Sequence, residues 1–245
     1  IQTLLAKAGY SECWDHVEQY VRNHVIESQI SADGSLPDIL HDNLQGDPPD
    51  DTNEISYDNA LGRMAGGFAG PIYPNDLFSA YPQSRTAPRE QWLIDVSGCC
   101  APSGAKALYL VWDNIVTRDS KGIWVNLALD RDSEWVRIKS SRPLDGRVAI
   151  VAHTDLPIYV RVSGWVEKHD VECRVDDNEI EFDWIGDYLC CRHLIAGREL
   201  TVRYPLREFK TTEHLGGLPY TVSWRGDTVV KIESNAAPVL PLYQR

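Results

Sequence analysis

The spacing of the apolar residues changes near Gly122, and this change constrains the fold more than any other feature of the sequence. Before Gly122, apolar side chains recur at helical intervals over residues 13–28 and again over residues 102–116. After it, they alternate with other side chains in residues 123–129 and 158–163, which is typical of half-buried strands. The sequence therefore predicts an α+β protein that is helical first and β-rich afterwards. We expect nearly all of the second helix to be buried.

Turn residues divide the rest of the chain into short runs at the spacing of an antiparallel β-sandwich. These strand-like runs are residues 147–152, 171–175, 179–184, 188–193, 199–204, 220–224 and 228–232. A long acidic, proline-rich loop is predicted between the two helices, at residues 32–59. We therefore expect two domains: residues 1–118 with helices and long loops, and residues 119–245 with the sandwich.

The charge of the chain limits the partners that it can have. It contains 36 acidic and 24 basic residues, which gives a formal net charge of −12. Because this excess of acid repels both nucleic acid phosphates and anionic lipid surfaces, the sequence predicts no nucleic acid and no membrane partner. A neutral small molecule or a protein partner fits better. No run of about 18 apolar residues is present to span a bilayer.

The cysteines indicate a reducing compartment. Two pairs of the six cysteines are vicinal, Cys99-Cys100 and Cys190-Cys191, and neighbouring cysteines rarely form a disulfide with each other. The chain also opens at Ile1 without the basic and apolar segments of a secretion signal. We therefore expect a cytoplasmic protein whose thiols are free or metal-bound.

The most specific local feature is the pair Cys99-Cys100, which stands just before the helix that Pro102 announces. Unpaired N–H groups and the helix dipole stabilise an anion at this position, which increases the thiolate fraction of a cysteine. A reactive or metal-bound thiol would benefit from that placement. The alternative is that both cysteines are small buried hydrophobes, which is the commoner role of a cysteine that forms no disulfide.

A metal ion at this pair would need further ligands, and the head of the first helix offers them. Glu12 and Cys13 supply a carboxylate and a third thiol, and three sulfurs with one oxygen suit tetrahedral zinc. The separation along the chain does not itself indicate a metal site. The pair Cys190-Cys191 and Cys173 lie in predicted strands, and we interpret them as structural.

Several enzyme classes are excluded by the motifs that the sequence lacks. No HExxH pattern is present among the seven histidines, and no serine lies in a GxSxG elbow. This disfavours zinc metalloproteases of the HExxH type and serine hydrolases. The glycine-rich phosphate-binding patterns GxGxxG and GxxxxGK[ST] are also absent, which disfavours the simplest nucleotide-binding proteins.

Taken in order, the motifs of this chain resemble glycoside hydrolase family 127, the β-L-arabinofuranosidases, over nearly its whole length. Residues 98–102 (GCCAP) match the Cys-Cys segment of the family, and residues 124–127 (WVNL) match its first sandwich strand. Residues 160–165 (VRVSGW) are similar to its Arg-Ile-Pro-Gly-Trp stretch, and the end of the chain, GDTVVKIE to LPLYQR, fits the same order.

This resemblance implies a fold and a site. The fold would be the last helices of an (α/α) barrel followed by an antiparallel β-sandwich. The site would hold Zn²⁺ between one glutamate and three cysteines, here Glu12, Cys13, Cys99 and Cys100. The family writes this ligand pair as Glu-x-Cys, whereas the present chain reads Ser11-Glu12-Cys13. Cys99 would be the nucleophile that attacks the anomeric carbon, with retention of configuration.

The resemblance also implies that the chain is part of a longer enzyme. The acid/base glutamate of the family lies upstream of its Glu-x-Cys motif, and we therefore expect a missing N-terminal barrel region before Ile1. The full-length protein would be a glycosidase of carbohydrate metabolism that hydrolyses a small or oligosaccharide substrate of the arabinofuranoside type. The alternative is a non-catalytic β-sandwich that packs beside a catalytic barrel or binds carbohydrate.

Overall fold

The α-helices of the described residues lie in the N-terminal half of the chain, as the sequence predicts. The structure is a computed structural model that describes residues 1–29, 62–63, 65–68, 99–215 and 217–235. Its helices are α1 (Gln2–Lys7), α2 (Cys13–Tyr20) and α3 (Cys100–Asn114), and a π-helical turn at Val21–Val25 extends α2. The predicted acidic loop at residues 32–59 lies outside the described residues. The described residues do not make up a barrel, so the barrel stays a prediction.

Helix α3 is much less buried than the sequence suggested. Its first turn contains Pro102, as expected. However, the side chains of Tyr109 and Trp112 are 59% and 48% exposed, and the prediction of a nearly fully buried helix was wrong. The reason is that apolar residues are spread around the whole helix, whereas one face of it packs at Val111. Within the described part of the chain, one face of α3 packs against the core, and apolar residues on its other faces stay exposed.

Fourteen strands of the described chain form three sheets. The five-stranded sheet has the order β1 (Val116–Arg118), β2 (Ile123–Val125), β6 (Ile158–Arg161), β10 (Tyr188–Cys191) and β9 (Asp183–Ile185). The six-stranded sheet has the order β3 (Arg131–Asp132), β4 (Val136–Ser140), β5 (Arg147–Ala152), β11 (Glu199–Arg203), β7 (Glu172–Val175) and β8 (Asn178–Glu179). The third sheet is a meander of β12 (Glu208–Leu215), β13 (Leu218–Arg225) and β14 (Thr228–Glu233). A short 3₁₀ helix, Lys168–Asp170, precedes β7.

The two larger sheets share one apolar core, as the layers of a β-sandwich do. Ile123 and Leu189 of the five-stranded sheet belong to the same buried cluster as Ile150 and Leu200 of the six-stranded sheet. Trp14 of α2 lies in this cluster too. Helix α2 is therefore part of the sandwich core, and burying its apolar stripe there is what stabilises so short a helix.

The pairing of the strands differs from the expected antiparallel order at one place. Strands β2 and β6 run parallel, with Ile123 opposite Ile158, whereas the other paired strands are antiparallel. All four residues of β6 are buried, including Tyr159 and Arg161, although alternation had indicated a half-buried strand. Tyr159 is covered by the stacked ring of Trp124, with 4.1 Å between ring centroids, and Arg161 is covered by buried ion pairs.

No helix of the described segments is both long enough and apolar enough to cross a membrane.

Candidate functional site

The Cys99-Cys100 pair lies at the N-terminus of α3, where the sequence placed it. Cys99 is the exposed N-cap residue, and Cys100 is the first helical residue and is partly buried. The hydroxyl of Ser103 donates a hydrogen bond to the carbonyl of Cys99 at 2.9 Å, which closes the first turn. The two Sγ atoms are 3.6 Å apart. That is too long for a disulfide bond of about 2.05 Å, so the structure places two thiol groups side by side.

The structure does not bring the other predicted ligands to this pair. Cys13 is 7% exposed and lies in the apolar core, while Glu12 is exposed at the N-cap of α2. The hydroxyl of Ser11 donates to the Asp187 carboxylate at 2.6 Å. Among the residues that the structure describes, no group of three or more His, Cys, Asp or Glu side chains could hold a metal ion.

The two thiols of the pair nevertheless fit two ligand positions of zinc. Two sulfurs about 2.3 Å from a tetrahedral zinc ion lie roughly 3.8 Å from each other, close to the observed 3.6 Å. Two positions are not a site, however, and the described residues do not complete one. The four-ligand zinc site of Glu12, Cys13, Cys99 and Cys100 therefore stays a prediction.

The remaining cysteines have the structural role that was expected of them. Cys190 and Cys191 point to opposite faces of β10, since Cys191 lies in the main core and Cys190 lies among Tyr159 and Tyr188. Burial, with the neighbouring Cys191, raises the pKa of the Cys173 thiol to about 12. All three side chains are buried and pack as small hydrophobes.

Sequence reasoning missed a cluster of buried charges centred on Glu18 of α2. The Glu18 carboxylate is fully buried and accepts hydrogen bonds from Arg22 at 3.0 Å, Arg142 at 2.6 Å and Arg161 at 2.6 Å. Burial by itself would raise the pKa of Glu18, but the charges of Arg142, Arg22 and Arg161 outweigh it and hold that pKa at about 2. Glu18 is therefore ionised over the whole physiological range.

Two further carboxylates complete this charge cluster, which consists of Asp15, Glu18, Arg22, Arg142, Arg161 and Asp227. Asp15 pairs with Arg161, and Asp227 pairs with Arg142. Asp15 also accepts a hydrogen bond from the backbone N–H of Gly164 at 2.9 Å. Three acids thus balance three bases, which is the condition under which buried charges are tolerated.

The charge cluster joins four parts of the fold. Arg161 lies on β6 of the five-stranded sheet, Arg142 lies between β4 and β5 of the six-stranded sheet, and Asp227 lies in the turn between β13 and β14. Arg142 and Arg161 bind Glu18 of α2 directly, and Asp227 is linked to it through Arg142. One sequence signal for it was available: Glu18 and Arg22 stand four residues apart on a predicted helix, a spacing at which side chains pair.

Comparison with known proteins gives only partial similarities. No family model and no curated protein matches the chain. Among solved structures, a GH127 β-L-arabinofuranosidase from Geobacillus stearothermophilus T6 shares 16% identity and a TM-score of 0.46, over 68% of this chain and 29% of that one. A structure described as a glycoside hydrolase shares 16% identity and a TM-score of 0.42, over 54% of this chain and 25% of that one. A GH127 β-arabinofuranosidase shares 14% identity and a TM-score of 0.38, over 54% and 26%.

The present chain thus spans less than a third of the length of each of these structures. The activity, the substrate and the partners of a whole protein of that size are proposals for this chain.

Proposed function

We propose that this chain belongs to a retaining glycoside hydrolase of the β-L-arabinofuranosidase type, with Cys99 as the nucleophile. The observation that carries the proposal is the position of the Cys99 thiol. It is exposed at the N-terminus of a fifteen-residue helix, and a second thiol lies 3.6 Å from it. The motif order around residues 98–102, 124–127 and 160–165 supports the same family. An arabinofuranoside-like carbohydrate is the proposed substrate.

The proposed reaction has two steps at the anomeric carbon. In the first, the Cys99 thiolate attacks that carbon, a C–S bond forms, the glycosidic C–O bond breaks, and a carboxylic acid protonates the leaving oxygen. In the second, water attacks the same carbon, the C–S bond breaks, and the carboxylate takes the proton from water. Two inversions give net retention. The N–H groups at the start of α3 stabilise the thiolate that attacks and departs.

The non-catalytic alternative, a β-sandwich that binds or supports carbohydrate, makes a different prediction for Cys99. In that case Cys99 would be an ordinary exposed thiol, with no selectivity for a sugar-bearing reagent. Both alternatives are compatible with the predicted cytoplasmic location.

The experiment that separates the two is covalent labelling of the full-length protein with an arabinofuranosyl haloacetamide. We expect alkylation at Cys99 that free arabinofuranoside protects against, and loss of both labelling and hydrolysis in Cys99→Ser. Iodoacetamide, which carries no sugar, is the matched reagent control. Peptide mass spectrometry assigns the site. Hydrolysis that persists in Cys99→Ser, or labelling that free sugar does not slow, would contradict the proposed nucleophile.

A further inference from the structure

A second site is indicated by a cavity of about 320 Å³ between α2, the segment after β6 and the third sheet. It adjoins the charge cluster, because Asp227 belongs to both. The residues that shape it are Gln19, Trp165, Phe209, Thr211, Trp224 and Asp227. Its volume is near the lower end of the roughly 300–1,000 Å³ of ligand pockets, so it suits a small ligand.

The walls of this cavity are flat aromatic rings. Phe209 and Trp224 stand opposite each other on the paired strands β12 and β13, and their rings are parallel within 6° with 6.0 Å between centroids. Trp165 forms another wall against Gly226. A Cβ at Gly226 would lie 2.9 Å from the Trp165 ring, and its φ of +60° also favours glycine. The sequence at this turn therefore makes room for the indole.

Polar side chains accompany these rings. Gln19 and Thr211 both line the cavity. Amide and hydroxyl groups can donate and accept hydrogen bonds, so they match the hydroxyl groups of a ligand. The Thr211 hydroxyl, which accepts from Trp224 Nε1 at 3.0 Å, has its own proton to donate.

The charge around the cavity favours a neutral ligand. In the charge cluster behind it, the three carboxylates are balanced by three guanidinium groups. Arg207 at the cavity lies over the Phe209 ring, 5.9 Å from its centroid. The Asp227 carboxylate is already paired with Arg142, and Arg207 is exposed to solvent. An ionic ligand would therefore lose its hydration without gaining a buried, unpaired counter-charge.

We propose that this cavity is a binding subsite for one ring of a neutral carbohydrate, separate from the chemistry at Cys99. The C–H groups of a sugar ring carry partial positive charge and pack against the negative faces of aromatic rings. Its hydroxyl groups would meet Gln19 and Thr211. Binding here neither requires hydrolysis nor implies it, so this proposal can fail or succeed independently of the proposed glycosidase.

The test is a titration of the full-length protein with L-arabinose, followed by the indole ¹⁵N–¹H resonances of its tryptophans. We expect the Trp165 and Trp224 resonances to shift saturably. Trp224→Ala should weaken this binding by about tenfold, which corresponds to the loss of one good aromatic contact. Phe209→Leu keeps an apolar side chain on β12 but removes a flat ring, and it should weaken binding in the same direction.

The matched control is Trp184→Ala on β9. It removes a tryptophan from another aromatic pair, the one that Trp184 forms with Phe182. It should leave the affinity unchanged. Absence of a shift at Trp165 and Trp224 would overturn the proposal, and so would wild-type affinity in both Phe209→Leu and Trp224→Ala. Tighter binding of galacturonate than of L-arabinose would overturn the assignment of a neutral ligand. Labelling of Cys99 is read separately and tests only the nucleophile.

Discussion

Glu18 shows how one buried residue can depend on several partners at once. Its carboxylate is bound by three guanidinium groups from three parts of the chain. Asp227 shares Arg142 with it, but burial outweighs that single pairing and raises the pKa of Asp227. Glu18, with three arginines, has its pKa lowered instead. Both carboxylates are buried, and they differ in the number of arginines that bind them and in the repulsion of Asp227 by the Glu18 charge.

We expect Glu18→Gln to destabilise the protein by roughly 3–5 kcal/mol, because it leaves three buried arginines with one charge too few to balance them. Urea unfolding followed by circular dichroism measures the change in the free energy of unfolding. The control is Glu199→Gln, which breaks a half-exposed pair with Arg147 at 2.8 Å and should cost at most about 1 kcal/mol. Equal effects of the two substitutions would contradict the assigned role of Glu18.

At the same scale, Cys99 was identified from the sequence, and the structure agrees on its place before α3. The side chains that surround Cys99 could not be identified from the sequence in the same way. Whether Cys13 approaches Cys99 depends on how α2 and α3 are placed, and the structure puts Cys13 in the apolar core instead.

At the scale of elements, helix α3 is held by a contact that only a glycine permits. Phe68 is 2% exposed, and a Cβ at Gly104 would lie 2.5 Å from its ring carbons. The ring therefore lies directly on the helix backbone. This contact joins two segments that are far apart in the sequence, and no local pattern indicates it.

We expect Gly104→Ala to destabilise the protein by about 1–3 kcal/mol, since the clash with Phe68 exceeds the roughly 1 kcal/mol that alanine gains over glycine in a helix. A double-mutant cycle with Phe68→Leu checks the cause. In the Phe68→Leu background the same substitution should be close to neutral, because the smaller side chain can move away. Stabilisation by Gly104→Ala in the wild-type background would show that Phe68 does not pack there. Thermal unfolding measures all four proteins.

The strands divide into those that their own pattern indicates and those that it does not. Strand β5 has the bounds that were predicted from the sequence. Strand β12 was not predicted, because its residues EFKTTEHL are mostly polar, and it is a strand because its backbone pairs with β13 over eight positions. Strand β6 was found, but its burial on both faces depends on Trp124 and on the charge cluster.

On the scale of the whole molecule, the charge cluster connects α2 and all three sheets, so its protonation state affects the entire described fold. The pKa of Glu18 is about 2 in the folded chain, against 4.5 for an ordinary glutamate. As the pH falls, the unfolded chain therefore takes up this proton first, and the stability that ionised Glu18 contributes is lost between these two values. Asp227, whose pKa is raised by burial, acts in the opposite direction around its own range.

We expect the free energy of unfolding to fall between about pH 4.5 and pH 2 by an amount on the order of 3 kcal/mol from Glu18 alone, at 1.36 kcal/mol for each pKa unit. Urea unfolding at stepped pH measures this dependence. Glu18→Gln should show a shallower slope in that window, while the Glu199→Gln control should follow the wild type. Parallel curves for wild type and Glu18→Gln would mean that Glu18 is not held ionised by the arginines.

The sequence by itself determined the features that depend on neighbours along the chain. These are the change from helical to alternating spacing near Gly122, the two helices around residues 13–28 and 102–116, most of the strands, and a thiol pair at a helix N-terminus. Tertiary structure alone decided the parallel pairing of β2 with β6, the charge cluster around Glu18 and the aromatic cavity beside Asp227. The physical reason is that periodicity reports which side of an element is apolar, whereas pairing, charge balance and cavities depend on which distant side chains meet it.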